Sequence, residues 1–116
     1  MKVSRMLRLE GLIVLAGALA SYAMLGGNGL LFVVLLLAPD LSALGYLVDV
    51  RTGALTYNFV HTYVVPGILF ALGYAMSAPL AIQIALIWFA HIGMDRALGF
   101  GLKYPTEFKD THLQHV

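Results

Sequence analysis

The chain contains no cysteine, and this absence excludes disulfide bonds, zinc thiolates, iron–sulfur clusters and thiol nucleophiles. Charge is also scarce, since Asp, Glu, Lys and Arg make up only 11% of the residues and the net charge is +1. Such a weak positive charge gives no reason to expect a nucleic-acid partner. The surface of a small soluble domain needs roughly 25% charged residues. The composition therefore indicates that lipid, rather than water, surrounds most of this protein.

Long apolar segments take the place of the missing charge, with 60% hydrophobic residues and a mean hydropathy of +0.86. Four segments reach the roughly 20 residues that a membrane-spanning helix needs. Short turn-forming sequences separate them, namely GGNG, DVRTG and SAP. Connections this short predict an all-α, integral membrane four-helix bundle of up-down topology, in one domain covering residues 1–116. The predicted spans are 9–26, 30–48, 54–76 and 80–100, followed by a polar tail, 101–116.

The N-terminus has some features of a signal peptide. Lys2, Arg5 and Arg8 precede the apolar stretch LIVLAGALASYA, which ends in small residues. Glu10 interrupts the junction between the basic and apolar parts, so we interpret the segment as the first membrane helix.

Positive residues predict the orientation of the bundle. All seven Lys and Arg lie in the N-terminal segment, the loop between the second and third spans, the end of the fourth span or the tail. Four spans place these regions on one side of the membrane, and the other two loops carry no charge. By the positive-inside rule, both termini are predicted to be cytoplasmic.

The fourth span carries three ionisable residues, His91, Asp95 and Arg96, in an otherwise apolar segment. At about 1.5 Å per residue, Asp40 of the second span and His61 of the third would lie at a similar depth, in the cytoplasmic half. His91 and Asp95 are four residues apart and therefore share a helix face. A charge at the centre of a membrane helix costs roughly 2.5–3.5 kcal/mol. We therefore expect these groups to meet around a polar cavity instead of facing lipid.

Two histidines and two aspartates fit three chemical roles. They could hold a divalent metal ion such as Zn, Fe or Mn, which would neutralise the carboxylates. They could instead form a metal-free acid–base pair, or a relay for protons or cations. A purely structural role, as interhelical hydrogen-bond partners, is the fourth reading. Pro39 disturbs its helix and could leave free carbonyls near Asp40.

Other polar residues are candidates for substrate binding. Arg96 and the tail residues Lys103 and Lys109 would surround the cytoplasmic mouth of the cavity and suit an anionic group. Tyr104 belongs to the same tail, which could fold under the bundle or simply anchor it at the headgroups. Asn58 is three residues from His61 and is a further candidate. Asn58 and the adjacent Tyr57 also fit a role in helix packing.

Four sequence blocks carry a resemblance to a known family. They are LRLEG, LLAPDLSALGYL, YNFVHTYVVP and IWFAHIGMDRALGFGLKYPTEFKDTHL, and the last is long and specific. The chain resembles, over nearly its whole length, the small bacterial integral-membrane family known as domain of unknown function 4260. The resemblance implies a bacterial inner-membrane protein and no particular activity. It also implies that the following residues belong to the family pattern: Glu10, Asp40, Asn58, His61, His91, Asp95, Arg96, Lys103, Tyr104 and Asp110.

A weaker similarity links the PD and HxxxD elements to small membrane-bound metal-dependent hydrolases. Together with the cluster, it favours a membrane enzyme that hydrolyses a lipid-like or amphipathic substrate with the help of a metal ion. Asp40, His61, His91 and Asp95 would be the metal ligands and, with Arg96, the catalytic residues. Two alternatives stay open: a proton, metal-ion or small-ligand transporter or binding protein acting as a homo-oligomer, and a metal-free isomerase or cyclase. A structural or partner-anchoring role is also possible.

Overall fold

Six helical segments make up the part of the chain that the structure describes. The structure is a computed structural model, and its described residues are 2–102 and 113. Within them regular structure is helical throughout, which confirms the predicted all-α class. The segments are α1 (Val3–Met24), α2 (Gly29–Leu36), the 3₁₀-helix η1 (Ala38–Leu47), α3 (Val50–Val60), α4 (Val64–Ala75) and α5 (Pro79–Leu98).

Helix α5 is the centre of the bundle, although it comes last in the chain. It packs against α1, α4 and α2, while α3 packs mainly against η1. Nine of its 20 residues are buried, more than in any other described helix. Ala85, Ala90 and Ile92 have no exposed surface. The helix that carries three of the ionisable residues is therefore the one most enclosed by the others.

A close crossing joins α1 to α5. A Cβ atom added at Gly93 would lie 2.7 Å from the carbonyl oxygen of Gly11 and 2.8 Å from the backbone nitrogen of Leu15. A Cβ at Gly11 would meet the backbone of Gly93 just as closely, at 2.8 Å from its oxygen. Two glycines thus let the backbones touch where α1 passes α5.

The second predicted span, 30–48, is not one continuous α-helix. Asn28 caps the start of α2 by accepting a hydrogen bond from Leu31 N at 3.1 Å. The α-helix ends at Leu36, and Pro39, which has no N–H to donate, lies at the start of η1. Asp40 N then donates to Leu37 O at 3.2 Å. Since an α-helical bond would have used Leu36 O, the carbonyl of Leu36 is left for another donor.

The third predicted span, 54–76, is also interrupted. Asp49 begins α3 as its N-cap, accepting a hydrogen bond from Thr52 N at 2.6 Å. The helix ends at Val60, and α4 begins only at Val64. Pro66, in the first turn of α4, cannot donate to the carbonyl of Thr62, so a continuous helix would lose a bond at this position. The break places His61 at the C-cap of α3, where backbone groups are free for side chains.

The outer surface of the bundle is strongly apolar. Exposed large hydrophobic side chains occur on every helical segment; Met24, Leu30, Leu47 and Tyr74 are each more than 70% exposed. Among the described residues, three segments are long and apolar enough to cross a membrane: Val3–Met24, Gly29–Leu47 and Val50–Ala75. The fourth predicted span, 80–100, corresponds to α5, whose polar residues lower its hydropathy. This surface is that of a membrane protein.

Candidate metal centre

Four ionisable side chains from three parts of the chain meet inside the bundle. Asp40 comes from the first turn of η1, His61 follows α3, and His91 and Asp95 lie one turn apart on α5. Each offers one ligand atom, and these four atoms all lie within 4.8 Å of one another. The sequence predicted this group, and the structure brings all four of its members together. They could hold a metal ion.

The distances within the group are short and similar. The Nε2 atoms of His61 and His91 lie 3.1 Å apart. Asp40 Oδ1 lies 3.2 Å from His91 Nε2 and 3.5 Å from His61 Nε2. Asp95 Oδ2 lies 3.3 Å from His91 Nε2 and 3.5 Å from His61 Nε2. For a tetrahedral zinc ion, with ligand atoms at about 2.0–2.1 Å, the separation between ligands would be about 3.3 Å.

The other ring nitrogens fix how the two imidazoles are protonated. His61 Nδ1 lies 2.8 Å from Tyr57 O, and His91 Nδ1 is bonded to Leu36 O, the carbonyl that the end of α2 leaves free. A carbonyl oxygen can only accept a hydrogen bond, so both Nδ1 atoms must carry the proton. In the neutral rings, both Nε2 atoms are therefore unprotonated. This pattern, with Nδ1–H donated to a backbone carbonyl, is common for histidines that bind metal through Nε2.

Four lone pairs consequently point at one small region. Two come from Nε2 atoms and two from carboxylate oxygens, and none of these four atoms can donate to another when the imidazoles are neutral. The two Nε2 atoms and the two carboxylate oxygens repel one another unless a cation lies between them. The cation can be a metal ion or a proton, and four ligand atoms within 4.8 Å of one another suit a metal ion.

Burial differs among the four residues. His61 and His91 have no exposed surface, and Asp95 is 8% exposed. The side chain of Asp40, in contrast, is 56% exposed. The group is thus enclosed by α3 and α5 and open on the side of η1, where a substrate or an ion could approach.

Tyr57 supports two of the four ligands. Its hydroxyl donates to Asp95 Oδ2 at 3.3 Å, its carbonyl accepts from His61 Nδ1, and its ring stacks on the His61 imidazole with centroids 3.7 Å apart. The sequence led us to interpret Tyr57 as a packing residue, so this function was missed. Its spacing of four residues before His61 was the signal that could have revealed it, because residues four apart on a helix are neighbours.

Arg96 lies beside the cluster and not among its ligand atoms. Its guanidinium donates to His61 O at 3.0 Å and to Phe100 O at 3.2 Å, and it lies 6.0 Å from the centroid of the Tyr63 ring. Arg96 therefore satisfies the backbone at the break between α3 and α4. Its predicted catalytic and substrate-holding role stays a prediction.

The remaining predicted residues are located less completely. Asn58 is half-buried on α3, three residues before His61. Its role in substrate binding stays a prediction. The tail residues Lys103, Tyr104 and Lys109 lie outside the described residues, as does Asp110.

An apolar cleft adjoins the cluster. It has a volume of about 230 Å³ and is lined by Leu35, Ala38, Pro39, Val60, Ile84 and Trp88. Two of these residues directly precede cluster residues in the chain: Pro39 precedes Asp40, and Val60 precedes His61. Trp88 forms part of the wall and donates its indole N–H to Val60 O at 2.6 Å.

The fold and the site together define a small helical membrane protein with a His/Asp group that could bind a metal ion. A family model described as "Domain of unknown function (DUF4260)" matches residues 4–116. The chain belongs to this family, as its sequence blocks predicted. No curated protein matches the chain, and no solved structure matches it. The weaker similarity to metal-dependent hydrolases therefore stays a prediction.

Proposed function

We propose that this protein is a membrane-embedded hydrolase that holds a divalent metal ion, zinc by preference, between Asp40, His61, His91 and Asp95. The observation that carries the proposal is that the Nδ1 atoms of both imidazoles bond to backbone carbonyls. Because the carbonyls of Leu36 and Tyr57 hold both Nδ1 protons, two Nε2 lone pairs and two carboxylates face one another. A divalent cation removes this repulsion and balances both carboxylate charges. Such charge balance matters most in a low-dielectric bundle.

The residues present fit zinc chemistry. Imidazole nitrogen and carboxylate oxygen are both zinc ligands, and the five separations that involve a histidine, 3.1–3.5 Å, are close to those between ligands of a zinc ion. Tyr57 orients Asp95 and His61 from behind, as hydrogen-bonding partners of metal ligands commonly do. When bound, the ion would polarise the bond to be cleaved and help to activate water; for this step the exposed Asp40 would leave the ion, which His61, His91 and Asp95 would still hold.

Asp40 differs from the other three in being exposed, and this suits it to the proton transfer. In the proposed reaction, water attacks the carbonyl carbon or phosphorus of an ester, and its proton passes to the Asp40 carboxylate. The bond to the alcohol then breaks, and the same proton passes to the departing oxygen. His61 and His91 stay neutral throughout and maintain the geometry. Arg96, whose guanidinium donates to His61 O, is the residue of α5 that could hold an anionic group of the substrate.

The location of the site favours a lipid-like or amphipathic substrate. The exposed side of the cluster is flanked by η1, which presents Leu41, Leu44 and Leu47 outward, and Leu37, between α2 and η1, is exposed as well. A substrate entering by this side comes from the bilayer. We place the protein in the bacterial inner membrane with both termini in the cytoplasm, as the distribution of Lys and Arg favours.

A second candidate function uses a proton in place of the metal ion. The Nε2 atoms of His61 and His91, 3.1 Å apart, could share one proton between them, with the carboxylates balancing its charge. Such a pair would suit a metal-free isomerase or cyclase, or a proton relay in a homo-oligomeric transporter. Metal content separates this candidate from the first.

Elemental analysis and lipid turnover test the proposal together. Detergent-purified protein is expected to contain stoichiometric zinc and to hydrolyse phospholipid in liposomes. His91→Ala should lose both, and Gln83→Ala, on the same helix but away from the cluster, should keep both. If the wild-type protein binds no metal after incubation with zinc, the metal site is refuted. Proton flux into liposomes by that metal-free protein would support the second candidate.

A further inference from the structure

The apolar cleft continues the same face of α5 that carries the candidate ligands. Ile84, Trp88, His91 and Asp95 follow one another at spacings of four, three and four residues, which places them in one stripe along the helix. Ile84 lies seven residues before His91, or about 10 Å along the axis. The two cleft residues of α5, Ile84 and Trp88, thus precede the two candidate ligands along one face of the helix.

The stripe changes from polar to apolar along α5, and this order can be compared with the orientation of a membrane lipid. In the proposed orientation, Asp95 lies nearer to the cytoplasm, and Ile84 lies farther from it, beyond the middle of the predicted span 80–100. A lipid in the inner leaflet has the same polarity, since its ester and headgroup lie near the cytoplasm and its chains point to the midplane. The cluster and the cleft therefore repeat, in order, the polar and apolar parts of such a lipid.

The apolar lining of the cleft is unfavourable for water and for ions. Leu35, Ala38, Pro39, Val60 and Ile84 have apolar side chains, and the indole N–H of Trp88 is already bonded to Val60 O. Water gains few hydrogen bonds from such walls, and an ion gains none. A flexible hydrocarbon chain suits a cleft of about 230 Å³ that opens beside the polar cluster.

We propose that the cleft binds one hydrocarbon chain of a membrane lipid and thereby positions the lipid's ester bond at Asp40. This inference rests on the proposed function, because it assigns the substrate class of that site. Trp88 and Ile84 would set how much chain the cleft admits, and Pro39 would mark the transition from chain to ester. The substrate class is accordingly a glycerolipid or another long-chain ester rather than a water-soluble ester.

The single tryptophan of the chain, Trp88, reports directly on the cleft. Bromine atoms on a lipid chain quench tryptophan fluorescence on contact. The wild-type protein in detergent micelles is titrated with a phosphatidylglycerol that carries brominated acyl chains. Binding in the cleft predicts quenching that saturates at a fixed lipid-to-protein ratio and is displaced by the same lipid without bromine.

Two matched variants locate the binding. Ile84→Phe overfills the cleft and should weaken the saturable quenching by about tenfold or more. Ile68→Phe makes the same change at an exposed position of α4 and should leave it unchanged. The inference is overturned if quenching rises in proportion to lipid without saturating. It is also overturned if both variants, or neither, weaken the quenching.

Measuring zinc content, lipid hydrolysis and fluorescence quenching on the same protein preparations distinguishes a failure of this inference from a failure of the proposed function. The fluorescence titration is repeated after a chelator has removed zinc, so that hydrolysis of the lipid probe does not enter the measurement. Saturable quenching that depends on Ile84, in a protein without zinc or turnover, would support the chain-binding cleft and refute the hydrolase. Zinc and turnover without saturable quenching would support the hydrolase and overturn the cleft.

Discussion

The ring of Tyr57 lies flat on the imidazole of His61, with centroids 3.7 Å apart and planes at 6°. The same residue reaches Asp95 on α5 through its hydroxyl, so one side chain joins two ligands from different helices. Tyr57→Phe keeps the ring and the backbone carbonyl but removes the hydroxyl. We expect zinc affinity to fall by about 10–100-fold, as measured by competition with a chelator, with the fold retained.

Tyr74→Phe is the control for this change, since Tyr74 is 76% exposed on α4. It should not alter zinc affinity. Equal affinity in both variants would show that the Tyr57 hydroxyl does not orient Asp95.

Arg96 stabilises the break between α3 and α4. Its guanidinium bonds to the carbonyls of His61 and Phe100, and Arg96→Met would leave both without this donor while preserving much of the side-chain volume. We expect a loss of about 1.5–3 kcal/mol in the free energy of unfolding and weaker zinc binding, because His61 loses its backbone restraint. Denaturation in detergent measures the first effect. Arg51→Met, at an exposed position of α3, should change neither quantity.

The crossing of α1 and α5 predicts that replacing two different glycines by alanine changes stability in opposite directions. Gly93→Ala adds a methyl group 2.7 Å from Gly11 O, so the helices must separate, at a cost of about 1–3 kcal/mol. Gly17→Ala adds the same group where nothing lies within 4 Å, and it should stabilise α1 by about 0.4–1 kcal/mol. Thermal denaturation of the two variants checks both signs. A Gly93→Ala protein as stable as the wild type would contradict the close crossing.

The N-cap residue Asp49 predicts that the stability of the protein depends on pH. The hydrogen bond from Thr52 N favours the charged carboxylate and lowers the pKa of Asp49 below its ordinary value. Because the folded pKa is the lower one, the stabilisation is present above the unfolded pKa and is lost as the pH falls through the folded pKa. The melting temperature of Asp49→Ala should therefore lie below that of the wild type near neutral pH. The difference should shrink once the pH falls below about 4.

Residue type and spacing were sufficient to predict the helical class and the four members of the cluster. Charged and imidazole groups in apolar segments are costly unless they meet, so Asp40, His61, His91 and Asp95 could be grouped from their depths alone. Pro39 correctly indicated free carbonyls near Asp40, and one of them, Leu36 O, bonds His91.

The interruptions and the supporting contacts were harder to predict. Hydropathy does not distinguish a straight span from one that breaks, and the break before α4 depends on Pro66, five residues after His61. Tyr57 and Arg96 act through a stacked ring and through backbone carbonyls, which depend on how α3 faces α5. Sequence spacing within one helix does not specify how it packs against another.

The central position of α5 has a consequence for biosynthesis. Helix α5 is the last of the described helices to be synthesised, yet it supplies His91, Asp95 and most of the packing between these helices. Helices α1 and α4 enter the bilayer before their main partner exists, whereas α3 and η1 can already pack against each other. The ligand set is completed only when α5 has left the ribosome.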